Sequence, residues 1–156
     1  MDYVHSETDT ETIAEIQVSY HPKLEPSEQT VITCSRDAFL LISSVWDSGR
    51  LALQESFVAL YLNRAQRVIG YHLHSIGTTG AVTVEKRILL AIALKANATG
   101  IVLAHNHPSG RLRPSEADLD LTKQMKEGGK LFNINILDHL IISSQGYYSF
   151  ADEGTL

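Results

Sequence analysis

Apolar positions along the chain keep two rhythms, one near the helical repeat and one of strand character, and their succession predicts the fold. Residues 1–10 are polar and acidic without periodicity and read as a flexible lead-in, and over 12–20 the residues Ile13, Ile16 and Val18 suggest a short strand. A polar loop runs from His21-Pro22 to Pro26-Ser27. Ser35-Arg36-Asp37 offers a helix N-cap, and Phe39, Leu40, Ile42, Val45 and Trp46 follow near helical spacing until Asp47-Ser48-Gly49. Residues 56–62 and 67–76 are β-rich, with Asn63-Arg64-Ala65-Gln66 as a hairpin loop between them. Thr83 opens a helix lined on one side by Ile88, Leu89, Ile92 and Ala96, and Asn97 ends it. Residues 100–104 are apolar at successive positions, as in a strand covered on both faces, and run directly into His105. Pro114-Ser115 begins another helix that reaches Glu127 and is closed by Gly128-Gly129; residues 135–143 and 147–150 read as two final strands. This order predicts an α/β protein, a three-layer α-β-α sandwich on a mixed sheet.

The 156 residues, 44% of them hydrophobic, suit one domain over 11–156 after the tail at 1–10. With 13 Lys and Arg against 18 Asp and Glu the net charge is −5, so no overall basic footprint for nucleic acid exists. Cys34 is the single cysteine, which excludes an internal disulfide and any Cys-x-x-Cys metal site and fits a reducing cytoplasm. No apolar run approaches the roughly 20 residues needed to cross a bilayer. The opening Met-Asp-Tyr-Val-His is neither basic nor apolar, so neither a membrane anchor nor a secretion signal is expected.

The chemistry concentrates in His105-Asn106-His107-Pro108-Ser109-Gly110 and the Ser115 to Asp118 turn beyond it. Side chains alternate along a strand, so His105 and His107 emerge on the side of Ile101 and Leu103 while Asn106 faces the other way and ties backbone groups together. Positions i and i+3 of a helix share a face, so Asp118 completes a His, His, Asp triad beside the Ser115 hydroxyl, and a zinc ion there keeps one open position. Ser-x-x-Asp is equally a capping box, and the two uses compete for the Asp118 carboxylate. His72-Leu73-His74 repeats the His-x-His triplet without a third ligand nearby, and solvent exposure accounts for it. Lys123, Lys126 and Lys130 follow helical spacing among Glu116, Asp120 and Glu127 and read as a solvated face.

His-x-His, seven residues, Ser, two residues, Asp matches the JAMM metalloprotease motif, and the run from Leu103 to Gly110 with Leu137-Asp138-His139 and Tyr147 to Gly154 resembles the RadC family of JAB/MPN-domain proteins. The resemblance extends over about 27–154 and implies a JAB/MPN, cytidine deaminase-like fold with one Zn2+ per chain. It implies Glu55 as general base, Glu85 being the rival, and Ser115 as donor to the oxyanion in hydrolysis of a peptide or isopeptide bond in a peptide or protein substrate. Asp138-His139 resembles the family's Leu-Asp-His, which implies that it orients a ligand, and a satisfied structural histidine is an equal alternative. Glu55 opens its strand whereas the histidines close theirs, so strands 55–62 and 100–107 must run antiparallel or cross.

RadC proteins also carry a DNA-repair association, which makes a nucleic-acid-binding accessory the alternative function. The roughly 20 residues ahead of Tyr20 are too few for the helix-hairpin-helix region usual in that family, so DNA binding is expected to need a partner or the lysine stripe. A nucleobase deaminase lacks its Pro-Cys-x-x-Cys element here, and HNH nucleases disperse the three residues that this chain holds contiguously. Oligomeric state stays open.

Overall fold

The computed structural model describes residues 20–156; the expected tail at 1–10 and all but the last residue of the strand expected over 12–20 lie outside them. Five strands form one sheet: β1 (Ser56–Leu62), β2 (Val68–Ile76), β3 (Gly100–Asn106), β4 (Asn135–Ser143) and β5 (Gly146–Ser149). Their order is β2-β1-β3-β4-β5, antiparallel throughout except for the parallel β3–β4 pair. Three helices, α1 (Ser35–Val45), α2 (Lys86–Lys95) and α3 (Glu116–Lys130), pack on it, α1 on one face and α2 with α3 on the other. The expected mixed-sheet α/β sandwich is therefore present.

Strand alternation divides the core between the faces. Phe57, Ala59, Tyr61, Ile101 and Leu103 meet Leu89 and Ala93 of α2 and Met125 of α3, whereas Leu60, Leu62, Val102, Ala104 and Leu140 meet Ala38 and Ile42 of α1. Every residue of β1 and of β3 is buried, as expected of central strands covered on both sides. Their antiparallel register sets Phe57 against His105, so the start of β1 and the end of β3 share one edge of the domain.

Two helix boundaries differ from the periodicity. α2 begins at Lys86 instead of Thr83, because Ser75 Oγ donates to the Thr83 carbonyl at 2.7 Å and His74 Nε2 accepts the Glu85 N–H at 2.9 Å, holding 83–85 extended along β2. α3 continues through Gly128-Gly129 to Lys130. Those glycines are not the stop signal: a Cβ on Gly129 would meet the Ile134 carbonyl oxygen at 2.4 Å, so the residue is small because β4's approach crowds it. The chain reverses afterwards at Asn133, whose φ is +56°.

Candidate metal centre

His105 lies on the α3 face of β3 at its end, and His107 follows one residue beyond the strand. Asp118 comes from the first turn of α3, capped at Ser115. His105 Nε2 stands 3.0 Å from His107 Nε2 and 3.1 Å from Asp118 Oδ1, and one donor atom from each of the three residues falls within 4.8 Å of the others. Tetrahedral ligands with metal bonds of about 2.0–2.1 Å stand roughly 3.3 Å apart, so a divalent ion of that size fits the set with little adjustment.

The hydrogen-bond partners assign the tautomers. His107 Nδ1 lies 2.8 Å from the Arg111 carbonyl, which only accepts, so Nδ1 carries a proton and, in the neutral ring, Nε2 presents its lone pair. His105 Nδ1 lies 2.8 Å from His139 Nε2, and His139 Nδ1 lies 2.7 Å from Thr122 Oγ1, which donates to the Asp118 carbonyl at 2.6 Å. The ring of bonds closes only if each imidazole donates through Nδ1, leaving His105 Nε2 free for a metal. Burial, reinforced by the charge of His105, holds the pKa of fully buried His139 well below its usual value and keeps it a neutral acceptor.

Asp118 serves the cap and the histidines at once. Oδ2 accepts from the Ser115 N–H at 2.7 Å and from the Ser115 hydroxyl at 2.6 Å, completing the capping box, and also lies 3.6 Å from His107 Nε2, while Oδ1 stands 3.1 Å from His105 Nε2. Burial opposes the charge, yet the His105 and His107 rings in their protonated forms, which donate through Nε2 when no ion is there, together with Ser115 hold the carboxyl far below the ordinary range. The same Asp118 bond, against the effect of burial, raises His107 above its usual value.

Glu55 and Ser115 line one cavity of about 570 Å3 with the triad. Burial raises the Glu55 carboxyl, partly countered by the charges of His105 and His107. The expected antiparallel run of β1 and β3 is present, and Asn106 fastens it on the far face. Its Oδ1 accepts the Ser56 N–H at 2.7 Å and its Nδ2 donates to the carbonyls of Leu51 at 2.7 Å and Gln54 at 2.9 Å, gripping the chain on both sides of Glu55. Glu85, the rival, stands at the N-cap of α2 and is not among the cavity's lining residues.

His139 contacts His105, whereas Asp138 bonds elsewhere. The Asp138 carboxyl accepts from Ser149 Oγ at 2.6 Å and from the backbone N–H of His139 and Ala151, binding β4 to the segment after β5. His72 and His74 are half-buried instead of solvent-exposed, His74 serving the Glu85 N–H, and among the described residues only the His105, His107, Asp118 group can hold a metal. Lys123, Lys126 and Lys130 line a separate cavity between α3 and the start of β4. Thr122 escaped the sequence reading although its i+4 relation to Asp118 signals the shared face; the Arg111 carbonyl has no sequence signal.

Proteins of several bacteria resemble the chain. A UPF0758 protein of Flavobacterium johnsoniae is 43% identical over 123 residues, covering 79% of this chain and 52% of its own length. One from Thermosynechococcus vestitus is 37% identical over 129 residues, 81% of this chain and 50% of the relative, and one from Aquifex aeolicus is 37% identical over 121 residues, 78% and 51%. The chain thus spans about half the length of these relatives. No helix among the described residues is long and apolar enough to cross a membrane. The profile of the RadC-like JAB domain matches residues 32–155, from the entry to α1 through the triad to the end of the sheet, and the chain belongs to that family.

Proposed function

We propose that this domain is a zinc-dependent hydrolase of the JAMM type, a metallopeptidase acting in the cytoplasm on a peptide or isopeptide bond. The observation that supports it best is the convergence of His105 Nε2, His107 Nε2 and Asp118 Oδ1, with both imidazoles anchored through Nδ1, in a cavity that also holds Glu55. A zinc ion at these donors supplies a Lewis acid and brings the pKa of bound water towards roughly 7.

Glu55 receives the proton as water adds to the scissile carbonyl carbon, then delivers it to the nitrogen as the C–N bond breaks, leaving an amine and a carboxylic acid whose proton passes to the amine to give ammonium and carboxylate. Burial raises the Glu55 pKa, which makes its carboxylate a stronger base. Ser115 has one hydroxyl proton, given to Asp118 in this structure. To serve the tetrahedral oxyanion the hydroxyl turns away from Asp118 Oδ2, which keeps its bond from the Ser115 N–H.

Elemental analysis of wild-type and His107→Ala protein tests the ligand set: one zinc per chain is expected, lost in the variant. Glu55→Gln should keep its zinc yet lose about 10²–10⁴-fold of the turnover measured on a fluorogenic peptide library. Undiminished turnover in that variant would remove Glu55 as the base.

A further inference from the structure

Charge in the metal cavity is distributed unevenly. The wall over 79–84 offers Thr79, Gly80, Ala81, Val82 and Val84, with no ionisable side chain among its cavity-lining residues. Apart from the histidines, the only cations lining the cavity among the described residues are Arg111 and Arg113, on the loop between His107 and α3. Both are exposed, and neither makes an ion pair among the described residues. The two carboxylates in the cavity have other roles: Asp118 is bonded to His105, His107 and Ser115, and Glu55 is the base proposed above.

The loop is tied to the metal ligands. The Arg111 carbonyl accepts from His107 Nδ1 at 2.8 Å, the Gly110 N–H donates to the His107 carbonyl at 3.0 Å, and Gly110 turns the chain at φ +80°. The loop that carries both arginines is thus anchored beside the triad, and their guanidiniums make no ion pair among the described residues, on a chain whose net charge is −5. Guanidinium groups bind carboxylates through paired, charge-assisted hydrogen bonds and are less hydrated than ammonium, which suits them to a half-enclosed cavity.

We propose that Arg111 and Arg113 form a carboxylate-recognition subsite, so that the substrate bears an acidic side chain or a free C-terminus next to the bond that is cut. This rests on the hydrolase function proposed above and adds the class of substrate to it. Neutral segments lack the anchor, and the apolar Val82–Val84 wall takes the uncharged part of the chain.

Three zinc-binding probes separate the sources of the carboxylate: mercaptoacetyl-Ala-Gln-amide, which is neutral, mercaptoacetyl-Ala-Glu-amide, and mercaptoacetyl-Ala-Gln with a free C-terminus. Titrated calorimetrically into the zinc-loaded chain, at least one carboxylate probe should bind about tenfold more tightly than the neutral one. That preference should shrink on raising salt and vanish in Arg111→Gln/Arg113→Gln, while the neutral probe binds wild type and variant alike and so reports that the variant is folded and loaded. Equal affinity of all three probes, or a preference that survives in the double variant, overturns the subsite while leaving the metal centre standing. Failure of every probe to bind removes the metal centre, and the subsite falls with it.

Discussion

At the scale of single residues, the site is organised around which nitrogen of each imidazole carries the proton. Metal-binding histidines commonly donate their second N–H to a carboxylate or a carbonyl; here His107 uses the Arg111 carbonyl, whereas His105 uses a neutral imidazole, His139. His139→Ala leaves His105 free to rotate and removes the acceptor for its Nδ1 proton, so zinc affinity should fall about 10–100-fold in a chelator competition titration. An unchanged affinity would show that His139 serves packing alone. His107 leads to a pH dependence as well. Its hydrogen bond to Asp118, against burial, raises its pKa in the metal-free protein, so a proton competes with the ion for Nε2 from a pH above its usual 6.5. Apparent zinc affinity should therefore weaken as pH falls through that raised value, and Asp118→Asn, which lacks the charge, should shift the weakening to lower pH.

Among the elements, β3 serves both faces of the sheet, since His105 points to the α3 side and Asn106 to the other. Replacing buried Asn106 by Leu leaves the Ser56 N–H and the Leu51 and Gln54 carbonyls without their partner, a loss on the order of 3 kcal/mol in urea unfolding. Asn106→Asp keeps the shape but turns a carboxylate oxygen on two carbonyls, so it should be the worse variant at neutral pH and should recover as acid neutralises it. The adjacent glycines of α3 make a second contrast. Gly129→Ala drives a Cβ to 2.4 Å from the Ile134 carbonyl oxygen and should lower stability by about 1–3 kcal/mol, because the helix and the start of β4 must separate. Gly128→Ala meets only the tip of Leu90 at 3.2 Å, and a gain in helix propensity of about 1 kcal/mol offsets that contact. Equal losses in the two variants would mean that the helix ends before Gly129 in solution.

Across the whole molecule, what was legible in the sequence was whatever depends on local period. Alternation in β3 put His105 on the side of Ile101 and Leu103 and Asn106 opposite, and the three-residue step from Ser115 to Asp118 put a hydroxyl and a carboxylate on one turn. What was hidden arises where distant segments meet: the extended 83–85 segment depends on His74 and Ser75 of β2, and the crowding at Gly129 depends on Ile134. The double use of Asp118, as cap and as neighbour of His105 and His107, likewise required both histidines in place.

The triad itself joins distant parts, since His105 belongs to the sheet and Asp118 to α3, with the Thr122–His139 bond as a second tie between the same layers. An ion at these donors would therefore cross-link helix to sheet and, binding only the folded chain, stabilise it by about 2.7 kcal/mol at a hundredfold excess over its Kd. For a domain of this size that corresponds to a rise in Tm of about 5–10 °C in scanning calorimetry. A chelator should reverse the rise, and His107→Ala and Asp118→Ala, whatever their own baselines, should show none. An equal rise in those variants would mean that zinc stabilises the protein from somewhere else, and the link between β3 and α3 would then rest on the Thr122–His139 bond and apolar packing alone.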